Sequence, residues 1–227
     1  MTKVPQAGYA KTRLTPFLSD DQCAELSKCF LKDTVSKAFQ VTPTVLVAYT
    51  GEGDEGSILD LLPERTTCIR QSGDSLGERL ANAVEFAESN GCSPILVIGT
   101  DSPTLPTTIL IDSLRHFKDD PSAELVLGGT DDGGYYLIGL KRARDSIFQE
   151  ITWSTDAVYS ETLKQAKRIG ISGVIEMPRW YDVDTPDDLR RLYLEVMNDD
   201  TAKDVPPKTY RWLLENQSLF VSGSADI

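Results

Sequence analysis

The chain has 227 residues, of which 40% are hydrophobic and 26% are charged, and these are the proportions of an ordinary globular protein. The net charge of −12 argues against non-specific nucleic-acid binding, which requires a basic surface. No apolar run approaches the length of a bilayer span, and the first residues lack the apolar core of a secretory signal. We therefore expect a cytoplasmic protein without a membrane anchor.

Two residue types narrow the chemistry further. The four cysteines form no CxxC pair, which favours free thiols over a disulfide framework. The single histidine, His116, excludes a mechanism or a zinc site that needs two imidazoles.

Hydrophobic periodicity and capping signals predict alternating helices and strands along the chain. The predicted helices are 19–37, 75–90, 107–118, 155–168, one that opens at Thr185, and one further helix at 208–216. The predicted strands are 44–50, 66–70, 94–99, 124–127, 135–140 and 174–177. This alternation is typical of an α/β domain with a mostly parallel sheet. We expect one domain over residues 1–197 and a C-terminal extension over 198–227, made of a linker and the further helix.

The segment Gly-Thr-Asp-Ser-Pro directly follows the strongest predicted strand, 94–99. Ligands in open α/β sheets bind beyond the carboxyl ends of the strands. Asp101 in this segment can therefore bind a hard cation through oxygen. Asp-Ser-Pro is equally good turn chemistry, and the residues alone leave the two interpretations evenly matched.

A second acidic segment, Asp-Val-Asp-Thr-Pro-Asp-Asp, begins at Asp182. Asp182 and Asp184 occupy alternate positions of an extended segment and so project to the same side. Two neighbouring carboxylates are costly unless they share a cation or a proton. A metal site is therefore plausible, although a solvated acidic loop has the same pattern.

Two segments offer cations for phosphate groups. Gly8 allows close backbone approach, and Lys11 and Arg13 follow it, but the spacing is not that of a Walker A loop. Taken alone, an ordinary basic surface loop explains these residues better. Gly77 and Arg79 lie in the first turn of the helix that opens at Ser75, which is a natural anion site.

The glycine-dense segment 128–136 carries Asp131, Asp132 and two tyrosines between two predicted strands. A hairpin explains part of it, but a turn needs fewer such residues. Trp153 stands beside hydroxyl residues ahead of a helix, and core packing is its simpler explanation.

The order of these segments carries more information than any one of them. The sequence contains, in order, Lys-Thr-Arg-Leu, Leu-Gly-Glu-Arg, Gly-Thr-Asp-Ser-Pro, Asp-Gly-Gly-Tyr-Tyr, Trp-Ser-Thr and Asp-Val-Asp-Thr-Pro-Asp-Asp-Leu. Over residues 1–196 this set closely resembles the DUF2064 family of GT-A-like transferases, which includes glycosyltransferase-like proteins associated with arsenosugar biosynthesis. The resemblance implies a three-layer α/β/α sandwich of the nucleotide-diphospho-sugar transferase type, with a mainly parallel mixed sheet. Family members begin with a buried strand before the Lys-x-Arg-Leu loop, whereas this chain starts at the loop. We therefore expect the first strand to be absent, and the chain to be less stable than a version extended upstream.

The resemblance also implies roles for individual residues. Asp101 would hold a metal that bridges the donor phosphates, and Asp182 and Asp184 would complete its coordination; Mg²⁺ or Mn²⁺ suits such an all-oxygen site. Asp131 and Asp132 are candidates for removing a proton from the acceptor, which gives a catalytic set of Asp101, Asp131 and Asp132. The expected substrate-binding residues are Gly8, Lys11, Arg13, Gly77, Arg79, Ser102, Gly133, Gly134, Tyr135 and Trp153.

Three functions remain open from the sequence. The first is transfer of a glycosyl group from a nucleotide-diphospho-sugar donor to a small-molecule acceptor. The second is nucleotidyl transfer with release of pyrophosphate, as in enzymes that activate phospholactate, with which the Lys-x-Arg-Leu motif is shared, or that assemble the molybdenum-cofactor nucleotide. The third, suggested by the missing strand, is a nucleotide-binding protein that has lost catalysis.

Overall fold

The computed structural model of the protein describes residues 1–51, 58–198 and 206–221. The strands in these ranges are β1 Thr2–Lys3, β2 Leu46–Thr50, β3 Thr67–Arg70, β4 Ile95–Ile98, β5 Leu125–Thr130, β6 Tyr135–Leu140 and β7 Val174–Trp180. The α-helices are α1 Asp20–Val41, α2 Leu76–Ser89, α3 Thr107–Asp119, α4 Val158–Arg168, α5 Pro186–Asn198, α6 Pro207–Glu215 and α7 Ser218–Val221. Two 3-10 helices cover Thr12–Leu14 and Asp145–Phe148.

The described strands form two sheets. The first has the order β1-β2-β3 and is entirely parallel. The second has the order β4-β6-β5-β7, in which β6 runs antiparallel to both neighbours and β7 runs parallel to β5. The expected α/β class with a mixed and mainly parallel strand arrangement is confirmed, but the strands are divided between two sheets.

The structure corrects the expectation that the first strand is absent. Thr2 and Lys3 pair with Tyr49 and Thr50 of β2, so a first strand of two residues is present. The Met1 ammonium donates a 2.9 Å hydrogen bond to the Ile98 carbonyl and thereby links this strand to the end of β4. Two residues are too few to show the alternation by which a strand is recognised in a sequence.

Helices cover both faces of the four-stranded sheet. Alternate residues of a strand point to opposite faces, so a strand that is apolar throughout offers apolar side chains to helices on both sides. On one face, Leu125 and Leu127 of β5 pack with Leu80 and Val84 of α2. On the other face, the intervening Val126 packs against α3. The layers are therefore helix, sheet and helix, as the resemblance implied.

Two helices begin with the capping boxes that the sequence predicts. At α1 the Gln22 amide donates to Ser19 Oγ at 3.2 Å, and the Ser19 amide donates to Gln22 Oε1 at 2.9 Å. At α2 the Glu78 amide donates to Ser75 Oγ at 3.1 Å. Each box satisfies amides that have no partner inside the helix, which fixes where the helix starts.

The predicted C-terminal helix is present as α6, and it shares the core of the main domain. Trp212 and Leu213 of α6 are buried in a cluster that also contains Leu14 and Leu26. Residues 199–205, most of the predicted linker, lie outside the described residues. None of the helices in the described part of the chain combines the length and apolar character that a membrane span requires.

Candidate active site

The predicted site segments meet at one edge of the four-stranded sheet. Ile98 at the end of β4 pairs with Leu137 of β6, and Thr130 at the end of β5 pairs with Trp180 of β7. The segments that follow β4, β5 and β7 therefore leave the sheet on the same side. The Val183 amide donates to the Asp101 carbonyl at 2.8 Å, so two of these segments are bonded directly to each other.

Lys11 lies at the centre of this edge. Its Nζ lies 2.5 Å from Asp101 Oδ1 and 3.1 Å from Asp184 Oδ1, and it donates a 2.7 Å hydrogen bond to the Val183 carbonyl. The side chain is only 6% exposed, whereas those of Asp101 and Asp184 are 44% and 37% exposed. An ammonium has three N–H donors, and these three acceptors use all of them.

The charge of Lys11 is stabilised by its two carboxylate partners. Burial by itself lowers the pKa of this ammonium, but the charges of Asp101 and Asp184 and their hydrogen bonds outweigh it, so the pKa is raised. Lys11 is therefore positively charged at neutral pH. The expected phosphate-facing lysine is instead engaged by the acidic residues of the site.

Asp182 completes the acidic group but points to a different partner. Ser102 Oγ donates a 2.5 Å hydrogen bond to Asp182 Oδ1. The pKa of Asp182 is raised to about 6, first by burial and further by the negative charges of Asp101 and Asp184. Asp101 and Asp184 thus share the Lys11 ammonium, whereas the hydrogen-bond partner of Asp182 is the Ser102 hydroxyl.

The donor set fits a hard divalent cation in its chemistry. Asp101 and Asp184 already converge on one cation, the Lys11 ammonium, and carboxylate oxygens are the ligands that Mg²⁺ and Mn²⁺ prefer. Within the described ranges, no group of three or more His, Cys, Asp or Glu side chains is arranged to hold a metal. Of the three carboxylates expected to bind a metal, only Asp101 and Asp184 contact a common group, the Lys11 ammonium. Asp182 is bonded to Ser102 instead.

Gly8 and Arg13 lie on the solvent-exposed side of the N-terminal loop. The Arg13 side chain is 75% exposed, and its guanidinium lies 3.6 Å from Asp184 Oδ2. Gly8 has a φ of +79°, and this left-handed conformation allows the amides of Tyr9 and Ala10 to bond back to the Gln6 carbonyl. Arg13 is thus the accessible cation of the loop, and Gly8 forms its turn.

Glu78 in the first turn of α2 bonds back to the chain just before the helix. The amides of Asp74 and Ser75 donate to Glu78 Oε2 at 2.6 and 3.3 Å, and Glu78 therefore caps the helix start. Arg79, expected to bind substrate, donates from Nε to the Gly73 carbonyl at 3.0 Å.

Gly77 and Trp153, both expected to bind substrate, contact each other. A Cβ at position 77 would lie 2.6 Å from Trp153 Nε1, so only glycine lets the indole pack on α2. The Trp153 ring also meets Tyr135 edge-on, with ring centroids 6.4 Å apart. The packing interpretation of Trp153 accounts for these contacts.

In the hairpin turn between β5 and β6, the residues that were predicted to bind substrate or act in catalysis also stabilise the turn itself. Asp132 Oδ1 accepts from Thr130 Oγ1 at 2.6 Å and from the Gly134 amide at 3.2 Å. Gly133 has a φ of +88°, and a Cβ there would lie 2.1 Å from the Asp156 carbonyl oxygen.

Asp131 ties the same turn to α5. It forms a 3.1 Å ion pair with Arg191, whose guanidinium carbon lies 3.7 Å above the Tyr181 ring. The hairpin is thereby fixed at the site edge, close to Tyr135, which begins β6.

One residue that supports the site was not predicted. Lys37 of α1 is buried, and its ammonium donates to the carbonyls of Pro103, at 2.9 Å, and Leu105. These carbonyls lie in the loop that follows Asp101, so α1 anchors that loop. The sequence holds one indication that Lys37 is buried, which is its spacing from other core residues of α1. Lys37 lies seven residues, or about two helical turns, after the buried Phe30 and therefore faces the core.

The family model described as "Uncharacterized protein conserved in bacteria (DUF2064)" matches residues 34–155. A crystal structure of a protein from Desulfovibrio desulfuricans G20, assigned as a nucleotide-diphospho-sugar transferase, superposes with a TM-score of 0.86. That protein is 29% identical, and the match covers 99% of this chain and 96% of the other.

Two further proteins belong to the nucleotidyltransferase group. The 2-phospho-L-lactate guanylyltransferase of Methanobrevibacter ruminantium is 23% identical over 215 residues, which cover 88% of this chain and 86% of the relative. CMP:2-keto-3-deoxy-manno-octonic acid synthetase in complex with CTP is similar in fold, with a TM-score of 0.54 and 14% identity. That likeness covers 75% of this chain and 88% of the synthetase. The chain therefore has the fold shared by nucleotidyl- and nucleotide-sugar transferases.

Proposed function

The chain belongs to the DUF2064 family, and from this premise we propose that it is a metal-dependent transferase that moves a glycosyl group from a nucleotide-diphospho-sugar to a small-molecule acceptor. The observation that carries the proposal is the convergence of Asp101, Asp184 and Lys11 at the carboxyl edge of the sheet. Ligands of α/β folds bind at this edge. The similarity to the Desulfovibrio protein over 99% of the chain supports the choice of donor.

The proposed chemistry follows from the charges of the site. When the glycosyl bond breaks, negative charge grows on the departing nucleoside diphosphate, and cations placed beforehand stabilise it. Asp101 and Asp184 would hold Mg²⁺ or Mn²⁺, which supplies Lewis-acid stabilisation of those phosphates when it is bound. Arg13 would contact the phosphates from the loop, because its guanidinium is exposed beside Asp184.

The acceptor side is proposed for the hairpin turn and its neighbours. Asp131 and Asp132 stay the candidates for removing a proton from an acceptor hydroxyl. Gly133, Gly134 and Tyr135 would line the same side, and Trp153 would form its apolar wall through its contact with Tyr135. The location of the turn on the same sheet edge as Asp101 supports this assignment.

Nucleotidyl transfer is the second candidate, and the guanylyltransferase relative supports it to the same degree. In that reaction the acceptor attacks the α-phosphorus of a nucleoside triphosphate and pyrophosphate leaves. The same cations would serve, because charge again develops on phosphate oxygens. The two reactions differ in the bond that breaks and therefore in the product that is released.

Product analysis distinguishes these functions. The protein is incubated with Mg²⁺ or Mn²⁺, a panel of small-molecule acceptors that carry hydroxyl or phosphate groups, and either nucleotide-sugars or the four nucleoside triphosphates. Nucleoside diphosphate and pyrophosphate are then quantified by ³¹P NMR. Release of nucleoside diphosphate from a nucleotide-sugar supports glycosyl transfer, whereas pyrophosphate from a triphosphate supports the second candidate. Thermal shifts with each ligand are recorded in parallel, using Asp101→Ala as the control. Nucleotide binding without either product would favour the non-catalytic alternative.

A further inference from the structure

Lys11 and the proposed metal use the same carboxylate oxygens. Nζ contacts Oδ1 of Asp101 and Oδ1 of Asp184 at 2.5 and 3.1 Å. Protein oxygens lie about 2.0–2.6 Å from Mg²⁺ or Ca²⁺. A divalent cation that these two oxygens hold on the side now facing Nζ would take the place of the ammonium group.

Lys11 is also unable to bind a phosphate from its present position. Its three donors are used by Asp101, Asp184 and the Val183 carbonyl, and its side chain is 6% exposed. A lysine that serves the donor phosphates must first leave these acceptors.

We propose that the Lys11 ammonium competes with the divalent cation for Asp101 and Asp184. When the metal binds there, Lys11 is released and contacts the donor phosphates, so the metal and the nucleotide each strengthen the binding of the other. The inference rests on the proposed function and adds to it a coupling between the two ligands. Metal binds weakly to the protein alone, because it must displace a bonded cation. Nucleotide strengthens metal binding, because its phosphates give the displaced ammonium a new partner.

The backbone of the loop is consistent with such a movement. Lys11 has a φ of +53°, a left-handed conformation that side chains with a Cβ adopt at a cost. The side-chain contacts with Asp101, Asp184 and Val183 accompany this conformation, together with a 2.9 Å hydrogen bond from the Leu14 amide to the Lys11 carbonyl. When these contacts are exchanged for the metal, the loop can relax to an ordinary conformation, and Lys11 moves out of the acidic pair.

The test is Mn²⁺ titration of the full chain by calorimetry, without nucleotide, for wild type and Lys11→Met. Methionine keeps the length of the side chain and removes the competing charge. We expect Lys11→Met to bind Mn²⁺ more tightly by about 5- to 150-fold, the usual range of coupling between two ligands. Lys28→Met, which removes a partly exposed lysine paired with Glu25, is the matched control and leaves the affinity unchanged.

The same titrations are repeated with saturating UDP or GDP. In wild type the nucleotide raises the Mn²⁺ affinity. In Lys11→Met we expect this gain to be smaller by about the same 5- to 150-fold, which would support the inference. Equal Mn²⁺ affinities of wild type and Lys11→Met without nucleotide overturn the competition but leave the metal site standing. Absence of Mn²⁺ binding in both proteins overturns the proposed metal-dependent function as well.

A measurement on wild type keeps the inference testable even if the variant folds poorly. Lysine acetylation followed by mass spectrometry reports the accessibility of Lys11. We expect protection in the protein alone, faster labelling when Mn²⁺ is added, and renewed protection when UDP or GDP is added to the Mn²⁺ form. Labelling of Lys11 that does not change with Mn²⁺ contradicts the competition.

Discussion

The docking of α6 on α1 depends on one buried carboxylate, and its removal gives a sharp prediction. Asp33 accepts three hydrogen bonds, from the amides of Lys208 and Thr209 at 3.0 and 2.8 Å and from Thr209 Oγ1 at 2.7 Å. Asp33 and Thr209 are 3% and 0% exposed. Asp33 therefore caps the start of a helix whose own N-cap residue, Pro206, supplies no side-chain bond.

The cost of Asp33→Ala can be estimated along two routes. If α6 stays docked, the amide and the hydroxyl of the buried Thr209 lose their acceptor at a cost of about 1–3 kcal/mol each, and the part-buried Lys208 amide loses less. If α6 detaches, the loss of burial of Trp212 and Leu213 costs about 1.5–3 kcal/mol for each side chain. The protein takes the cheaper route, so we expect the free energy of unfolding to fall by about 3–5 kcal/mol.

The assay is equilibrium unfolding in urea, with Asp21→Ala as the control. Asp21 is an exposed first-turn acid of α1, and its loss should cost less than about 1 kcal/mol. A double-mutant cycle with Thr209→Val should give a coupling energy of about 0.5–3 kcal/mol. A loss below about 1 kcal/mol for Asp33→Ala would refute the account of α6 as part of the domain core.

Two further substitutions test the support of the site. Gly133→Ala should lower the free energy of unfolding by about 2–4 kcal/mol, because the new Cβ meets the Asp156 carbonyl oxygen. Gly170 has a similar φ of +81° but lies in open space, so Gly170→Ala should cost only about 1 kcal/mol. Equal losses in thermal or urea unfolding would contradict the steric argument. Lys37→Met removes the donor to the Leu105 carbonyl, and we expect it to lower the free energy of unfolding by about 2 kcal/mol. It should also speed hydrogen exchange in the loop after Asp101. Unchanged exchange in that loop would show that Lys37 does not anchor it.

The sequence allowed the location of the site to be predicted because strand ends are visible in it. Asp101 follows a clear apolar strand, and Asp182 and Asp184 follow a weaker one. The grouping of these three carboxylates into one candidate site came from the family resemblance, whereas the strand-end rule was applied to Asp101 alone. The capping residues Ser19 and Ser75 were also predictable, because a capping box depends on residues three positions apart.

The partner of Lys11 was not predictable in the same way. Asp184 is 173 positions away, and one of the three acceptors is the Val183 backbone carbonyl, which leaves no mark in a sequence. Periodicity shows which face of a helix is buried, but it does not show which distant loops a lysine bonds. The same limit applies to Lys37, whose partners include the backbone carbonyls of Pro103 and Leu105.

Calorimetric titration of UDP and GDP, with and without Mn²⁺, tests the central claim most directly when wild type is compared with Asp101→Ala. The account predicts that wild type binds at least one of these nucleotides in a Mn²⁺-dependent manner, and that Asp101→Ala loses about tenfold or more of that affinity while remaining folded. Nucleotide binding that is equally strong without Mn²⁺, or equally strong in folded Asp101→Ala, would contradict a metal-dependent nucleotide site at Asp101.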